Sequence, residues 1–184
     1  MTGTRFRRSD PGDRPDSSWI ARHWKGTVAA LCAIGFAVMA YFWIYLPNRS
    51  VDVSHTQYEI TTGSKFTHRQ IDDAIGVMLD RKWTSWKGCE ISRISYDEAW
   101  SDDYLRSEHQ MTIDNPGSSS SISAAIDKYG MDRVVIFRTD FQCPYGSSDG
   151  SLGSDPYTGW MDTYVYDPSS PDADHGWVYI DSGY

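Results

Sequence analysis

The chain has 184 residues and a formal net charge of −8, and this charge is unevenly distributed. Residues 1–26 hold six Lys or Arg against three Asp, whereas residues 47–184 hold eleven Lys or Arg against twenty-two Asp or Glu. Nucleic-acid binding depends on basic groups that neutralise phosphates, so the acidic C-terminal part argues against nucleic acid as a partner.

A basic tail, residues 1–26, precedes an uncharged apolar run of twenty residues from Thr27 to Leu46. At a rise of about 1.5 Å per residue, a helix of this length matches the hydrocarbon thickness of a bilayer. Trp24 lies before the run and Tyr45 lies at its end, where amphipathic rings favour the membrane interface. Pro47 disfavours continuation of the helix. The run therefore predicts one transmembrane helix.

The basic residues predict the orientation of this helix. Five Lys or Arg lie in the twenty residues before it, whereas only Arg49 and Lys65 lie in the twenty residues after it. By the positive-inside rule, the N-terminus is cytoplasmic and the C-terminal part lies outside, in a single-pass protein of the cell membrane. The alternatives are a signal peptide cleaved after Ala40 and a lipoprotein signal at Cys32. An uncleaved anchor fits better, because the first cut falls inside the apolar run and Leu31 directly precedes Cys32.

Residues 47–65 show no sustained periodicity and predict a stalk, with a short strand near Tyr58. The clearest helix follows the stalk, since Thr67 and Gln70 are placed as a capping box and Gly88 is placed to end the helix. The apolar residues of this helix fall on one face, namely Ile71, Ala74, Ile75, Met78, Leu79 and Trp86. The pattern predicts a surface helix whose apolar stripe packs against a sheet.

Four segments rich in β-branched or aromatic residues predict strands, at Cys89–Tyr96, Arg133–Cys143, Gly159–Asp167 and Gly176–Gly183. The polar segment 97–121 predicts a loop, and a short helix is predicted from Ile122 to Tyr129. The last three strands predict an antiparallel meander. The predicted fold class is α+β, with an extracytoplasmic domain of residues 66–184 in which a helix packs on a curved antiparallel sheet of about four strands.

The order of five segments carries a family resemblance: FTHRQIDDAI, WKGCEISRISYDE, VVIFRTDFQ, YTGWMDTYVY and GWVYIDSGY. In this order the chain resembles uncharacterised, membrane-anchored extracytoplasmic proteins of Gram-positive bacteria. The resemblance covers Phe66 to Tyr184 and implies a cone-like domain, similar to the cystatin-like and nuclear-transport-factor-like folds. Segment 97–121 looks long for this group. The resemblance implies a fold and no activity.

Cys89 and Cys143 both fall in the predicted outer domain, at the start of one strand and the end of another. Disulfides persist outside the cytoplasm, so a bridge between these residues is one reading. The other reading is two separate thiols, because sequence does not place their Cα atoms within bridging range.

Aromatic residues recur with a period of two in the last two predicted strands, which places them on one sheet face. We expect the helix to cover the opposite, aliphatic face, so that the aromatic face forms a shallow concave binding surface. The residues of this candidate site are Trp160, Tyr164, Tyr166, Trp177, Tyr179, Arg138 and Asp140. Its expected ligand is a small molecule, an envelope polymer or a protein, and the same face is a candidate homodimer interface. The alternative is that these rings fill the core or cover a solvated sheet.

An enzyme would need a paired acid and base, and the candidates are Asp140 with His109 or His175. No spacing rule links these residues, so a non-enzymatic binding domain is the favoured interpretation. The sequence contains no His-x-x-x-His or Cys-x-x-Cys pair, and neither a metal site nor a cofactor is predicted.

Overall fold

A computed structural model describes residues 17–147 and 150–184, with side chains from Trp24 onward. The chain divides into two compact units, Met1–Ile44 and Tyr45–Tyr184. The first sixteen residues of the predicted basic tail lie outside the described residues, and the rest of the tail belongs to a helix. We call the second unit the C-terminal unit.

Helix α1 (Ser17–Ala40) continues through a π-helical turn, Tyr41–Tyr45, into the short helix α2 (Leu46–Asn48). Within the described residues, one helix, Trp24–Asn48, is long and apolar enough to cross a membrane, and its most apolar window is not buried. The predicted apolar helix of residues 27–46 is therefore confirmed as a helix. Its length and composition suit a membrane anchor and also a signal sequence.

The C-terminal unit has an α+β fold, as predicted. It contains the helices α3 (His68–Ser85), α4 (Glu98–Asp114) and α5 (Ser121–Tyr129). Its strands are β1 (Gln57–Thr61), β2 (Glu90–Asp97), β3 (Val134–Gln142), β4 (Tyr157–Tyr166) and β5 (Trp177–Gly183). The five strands form one sheet in the order β1-β2-β3-β4-β5. The four predicted strands and the β3-β4-β5 meander are confirmed.

Strand β1 makes the sheet mixed, because it pairs with β2 in parallel, with Gln57 opposite Arg93 and Thr61 opposite Asp97. A parallel pair needs a crossover connection, and α3 provides it. The strand predicted near Tyr58 is thus present, but segment 47–65 is part of the folded unit and not a separate stalk. Val51 in this segment is only 3% exposed, and it packs in the same core as α3.

Helix α3 begins at the predicted capping box. The Thr67 hydroxyl accepts a hydrogen bond from the Gln70 backbone N–H at 3.3 Å, and the Gln70 side chain accepts one from the Thr67 N–H at 3.0 Å. After the helix, Gly88 has φ +80°, and a Cβ there would lie 2.9 Å from the Pro47 carbonyl oxygen. Only glycine therefore fits this turn, where the chain passes the start of the C-terminal unit.

Helix α4 corrects the prediction of a loop at residues 97–121. The Asp97 carboxylate accepts a hydrogen bond from the Trp100 backbone N–H at 2.9 Å and so caps the helix. Leu105 is fully buried, and Trp100 and Tyr104 pack around the same core. The polar composition concealed the helix, because among its residues only Ser101 and Leu105 are buried.

The sheet is covered on both faces. Helix α3 packs on one face with Ile71, Ala74 and Met78, over residues of β2, β3, β4 and β5. Helices α4 and α5 pack on the other face, where Leu105 and Ile126 join a second apolar core. The residues of β3 alternate between these two cores, and Val135 and Phe137 lie in the first while Val134 and Ile136 lie in the second. The prediction that helical residues cover only one face of the sheet is therefore wrong.

Candidate functional site

The aromatic sheet face lies beneath α3 and is not an open surface. Tyr164 and Trp177 are 0% and 1% exposed. Trp160, Tyr166 and Tyr179 are partly buried against the same core. This corrects the predicted concave binding face and removes the sheet face on which the homodimer prediction rested. The core reading of these rings is the one that the packing favours.

The aromatic face is buried because its rings pack closely with each other and with α3. Phe66 precedes α3, and the centre of its ring lies 5.2 Å from the centre of the Trp177 ring. The ring centres of Tyr164 and Tyr179 lie 5.6 Å apart. The Arg81 guanidinium of α3 lies 3.6 Å from the centre of the Tyr179 ring. Burying such large rings stabilises the unit more than leaving them exposed to water.

Arg138 and Asp140 do not join these rings. The Arg138 guanidinium lies 4.2 Å from the centre of the Trp100 ring of α4, on the other side of the sheet. The Asp140 carboxylate accepts hydrogen bonds from the Arg93 side chain at 2.9 Å and from the Gly159 backbone N–H at 2.7 Å. Both side chains therefore have structural partners, and the predicted site is divided between two faces of the sheet.

The proposed acid–base pairs are not assembled either. His109 Nδ1 is hydrogen-bonded to the Ser123 hydroxyl at 2.8 Å, in the contact between α4 and α5. His175 lies in the turn before β5 with its ring 3.8 Å from Asp174. Within the described part of the chain, Asp140 forms no ion pair with either histidine.

Asp140 instead lines a cavity of about 280 Å³ with His55, a residue that the sequence did not single out. The acidic groups of this cavity are already engaged. Glu90 pairs with Arg49, Asp140 pairs with Arg93, and the Asp52 carboxylate accepts from the Ser54 hydroxyl at 2.6 Å. Those internal partners make this cavity a weaker candidate for ligand binding.

A second hollow, which we call the α4–α5 groove, lies between these two helices, the middle of β4 and the end of β5. Its volume is about 280 Å³. Its lining is dominated by hydroxyl and carboxylate side chains, and consists of Tyr104, Glu108, Ser119, Ser120, Ser121, Ile122, Met161, Thr163, Asp181, Ser182, Gly183 and Tyr184. It is thus built from two consecutive helices and two consecutive strands of the C-terminal unit.

The start of α5 forms one wall of the groove. The Ser120 hydroxyl caps the helix by accepting a hydrogen bond from the Ser123 backbone N–H at 3.2 Å. The Ser121 hydroxyl donates to the Asp181 carboxylate of β5, which also accepts from the Ser182 backbone N–H at 2.8 Å. These bonds fix the Asp181 carboxylate at the edge of the groove.

Other polar groups of the groove have no partner within the described residues. Thr163 on β4 is 2% exposed, yet its hydroxyl forms no hydrogen bond there. The Glu108 carboxylate on α4 likewise has neither a hydrogen bond nor an ion pair with any described residue. Both groups line the hollow and are therefore available to hydrogen-bond a ligand or water there.

The electrostatics of the groove are acidic. Burial raises the pKa of Tyr104, and the negative charge of the nearby Glu108 raises this pKa further. The lining contains Glu108 and Asp181 but neither Lys nor Arg. Among the described residues, no group of three or more His, Cys, Asp or Glu side chains is placed to hold a metal ion. The groove therefore offers hydrogen-bond acceptors and hydroxyl groups to a ligand.

Comparison of the chain with protein-family models, with curated proteins and with solved structures found no match. The resemblance to extracytoplasmic proteins of Gram-positive bacteria stays a prediction.

The sequence did not indicate the groove, because Tyr104 and Glu108 fell in the segment predicted as a loop. The helical spacing of the apolar residues Trp100, Tyr104 and Leu105 was the available signal for α4, which forms one side of the groove. No signal in the sequence relates these residues to Thr163 or Asp181, which are brought near them only by the fold.

Proposed function

We propose that the protein is a single-pass membrane protein whose C-terminal unit lies outside the cytoplasm and binds a ligand in the α4–α5 groove. The N-terminus lies in the cytoplasm, and the apolar helix is the uncleaved anchor. The ligand is a component of the cell envelope, and no chemical step is involved. The proposal combines an anchor, a compartment and a site, and each has its own support.

The anchor and the compartment are supported by three features. The apolar helix Trp24–Asn48 has the length of a membrane span. Basic residues are concentrated before this helix, which favours a cytoplasmic N-terminus. Cys89 and Cys143 form a disulfide, and disulfides persist outside the reducing cytoplasm.

The binding site is supported by one observation above all, namely the Thr163 hydroxyl. This side chain is 98% removed from solvent, lines the groove and has no hydrogen-bond partner in the described structure. Because the Thr163 hydroxyl opens into the groove and has no partner among the described residues, a ligand hydroxyl or amine can pair with it in place of water.

The topology is tested with a protease added to intact cells that carry an N-terminal and a C-terminal epitope. We expect loss of the C-terminal epitope and survival of the N-terminal one, and lysed cells should lose both. Protection of the C-terminal epitope in intact cells contradicts the topology. The mass of the intact chain tests the anchor, since a loss of the first 40 residues means that the apolar helix is a signal peptide.

Ligand binding is tested by retention of the purified full chain, in detergent micelles, on isolated envelope material. We expect Thr163→Val and Glu108→Gln to reduce retention, because each removes a polar group of the groove. The matched controls are Thr158→Val and Asp172→Asn, which make the same chemical changes at exposed positions. Equal retention of all four variants and the unchanged chain contradicts a binding role for the groove.

A further inference from the structure

The chemistry of the α4–α5 groove restricts the class of ligand that it can accept. We infer that the groove binds a saccharide unit that is neutral or carries an amine, an inference that rests on the binding role proposed above. Four features of the groove support this inference, namely the charge of its lining, the character of its polar groups, its aromatic wall and its size.

The charge of the lining excludes anionic ligands. Glu108 and Asp181 line the groove without a Lys or Arg beside them, and the Glu108 carboxylate has no counter-ion in the described part of the chain. Residues 47–184 also carry an excess of eleven acidic groups. A phosphate or carboxylate on the ligand would meet like charge at short range, and this repulsion disfavours teichoic-type or uronic polymers.

The hydroxyl groups distinguish a saccharide from a simple cation. Ser119 and Thr163 each offer a hydroxyl that can both donate and accept. The hydroxyls of Ser120, Ser121 and Ser182 also line the groove, but each already makes one internal hydrogen bond, with Ser123, Asp181 and Tyr179 respectively. A polyamine supplies only donors, so it satisfies the two carboxylates and leaves hydroxyl donors such as that of Thr163 unmatched. A sugar hydroxyl donates and accepts at once, and it therefore satisfies both kinds of group.

An aromatic wall and a small volume fit one sugar ring. Tyr104 lines the groove, and its ring is held by stacking on Trp100 with ring centres 5.5 Å apart. A fixed aromatic plane packs well against the apolar C–H face of a sugar. The volume of about 280 Å³ lies just below the usual range for small-molecule sites, which suits a single ring of a longer chain.

The test is isothermal titration calorimetry on the full chain in a detergent that contains no sugar headgroup. The probes are neutral tetrasaccharides of glucose, galactose, mannose and N-acetylglucosamine, a glucosamine tetrasaccharide, a uronic tetrasaccharide, and spermidine as a cation without hydroxyls. We expect at least one neutral or amine-bearing tetrasaccharide to bind, and neither the uronic probe nor spermidine to bind comparably.

Variants connect this binding to the groove. Thr163→Val is expected to weaken saccharide binding about tenfold, because a ligand hydroxyl loses its partner. Thr163→Ser keeps the hydroxyl and is expected to bind like the unchanged chain, which separates the hydroxyl's role from packing. Glu108→Gln is expected to weaken binding of the glucosamine probe more than that of a neutral probe, since it removes a charge.

The outcomes distinguish failure of the saccharide inference from failure of the proposed binding function. Preferred binding of spermidine or of the uronic probe overturns the saccharide inference, as does the absence of binding by every saccharide. If envelope retention still depends on Thr163 in those cases, the binding function stands and only the ligand class is wrong. If neither retention nor any titration depends on Thr163 or Glu108, both proposals are overturned.

Discussion

Lys82 of α3 and Asp162 of β4 form an ion pair in the core, with the Lys82 ammonium 3.0 Å from a carboxylate oxygen of Asp162. Both residues are only 3% exposed. The Thr139 hydroxyl donates to the same carboxylate at 3.0 Å, and the Lys82 ammonium lies 3.2 Å from the centre of the Trp86 ring. The pair therefore connects α3 to the sheet beneath it, with a hydrogen bond and a cation–π contact offsetting part of the cost of burial.

The first prediction concerns the removal of this pair. We expect Lys82→Met or Asp162→Leu alone to lower the free energy of unfolding by about 3–5 kcal/mol, because each leaves an uncompensated buried charge. The double variant should lie within about 2 kcal/mol of the unchanged chain, since neither charge remains. Urea unfolding followed by tryptophan fluorescence measures all four chains. Additive losses in the double variant would contradict a direct pairing of the two residues.

The second prediction follows from the pKa of Lys82. Burial lowers this pKa to about 8 from the ordinary lysine value of 10.5, against the attraction of Asp162. Between about pH 8 and pH 10.5, Lys82 holds its proton in the unfolded chain and has released it in the folded chain, so unfolding takes up a proton. The free energy of unfolding should therefore rise with pH across this window. Lys82→Met should remove this rise, and an unchanged pH slope in that variant would assign it to other groups.

Glu98 holds the chain before α3 against the start of α4. Its carboxylate accepts hydrogen bonds from the backbone N–H groups of Gly63 at 3.0 Å, Ser64 at 2.8 Å and Lys65 at 3.1 Å. Burial acts to raise the pKa of Glu98, but these backbone donors together lower it below the ordinary value for a glutamate. A Cβ at position 63 would lie 2.1 Å from a carboxylate oxygen of Glu98, which explains glycine there.

The third prediction is that Glu98→Gln lowers the free energy of unfolding at pH 7 by about 2 kcal/mol, because three hydrogen bonds to a charged acceptor are weakened. Since the pKa of Glu98 is depressed in the folded chain, its contribution is present above pH 4.5 and is lost as pH falls through the folded pKa. The variant should therefore lose less stability on acidification. Asp103→Asn, at an exposed ion pair, is the control and should change stability by less than about 1 kcal/mol.

The fourth prediction concerns Gly63 itself. Gly63→Ala should lower the free energy of unfolding, since the added methyl group displaces the Glu98 carboxylate from its backbone donors. In the Glu98→Ala background the same substitution should have a smaller effect, because the obstructing carboxylate is absent. Thermal unfolding of the four chains measures this coupling. An equal effect of Gly63→Ala in both backgrounds would show that the close approach is not the cause.

Local signals predicted those elements whose ends are set by neighbouring residues. The Thr67 and Gln70 side chains determine the start of α3 by pairing with each other's backbone, so a window of four residues carries the information. A simple N-cap at Asp97, without the reciprocal bond, starts α4, and the residues after it are largely polar. Since α4 covers an outer face and buries little of itself, its apolar periodicity is too weak to oppose a prediction of a loop.

These local signals do not predict contacts between elements that are distant in sequence. The period of two correctly placed Trp160, Tyr164 and Tyr166 on one face, yet it does not say which helix covers that face. Both residue sets of β3 are apolar because helices lie on both sides, so the one-sided interpretation had no internal contradiction. Lys82 was also hidden, since a lysine within an amphipathic helix reads as a surface residue until Asp162 is placed opposite it.

The fifth prediction concerns the disulfide between Cys89 and Cys143, which joins the segment before β2 to the end of β3 across 54 residues of sequence. Both residues are fully buried, so Cys89→Ala with Cys143→Ala leaves the folded packing largely in place and mainly frees the unfolded chain. We expect the double variant to lose about 2–5 kcal/mol in the free energy of unfolding. Cys32→Ala, outside the C-terminal unit, is the control and should change nothing. A reductant should lower the stability of the unchanged chain to that of the double variant without affecting the variant, and insensitivity of the unchanged chain would mean that the two thiols are not joined.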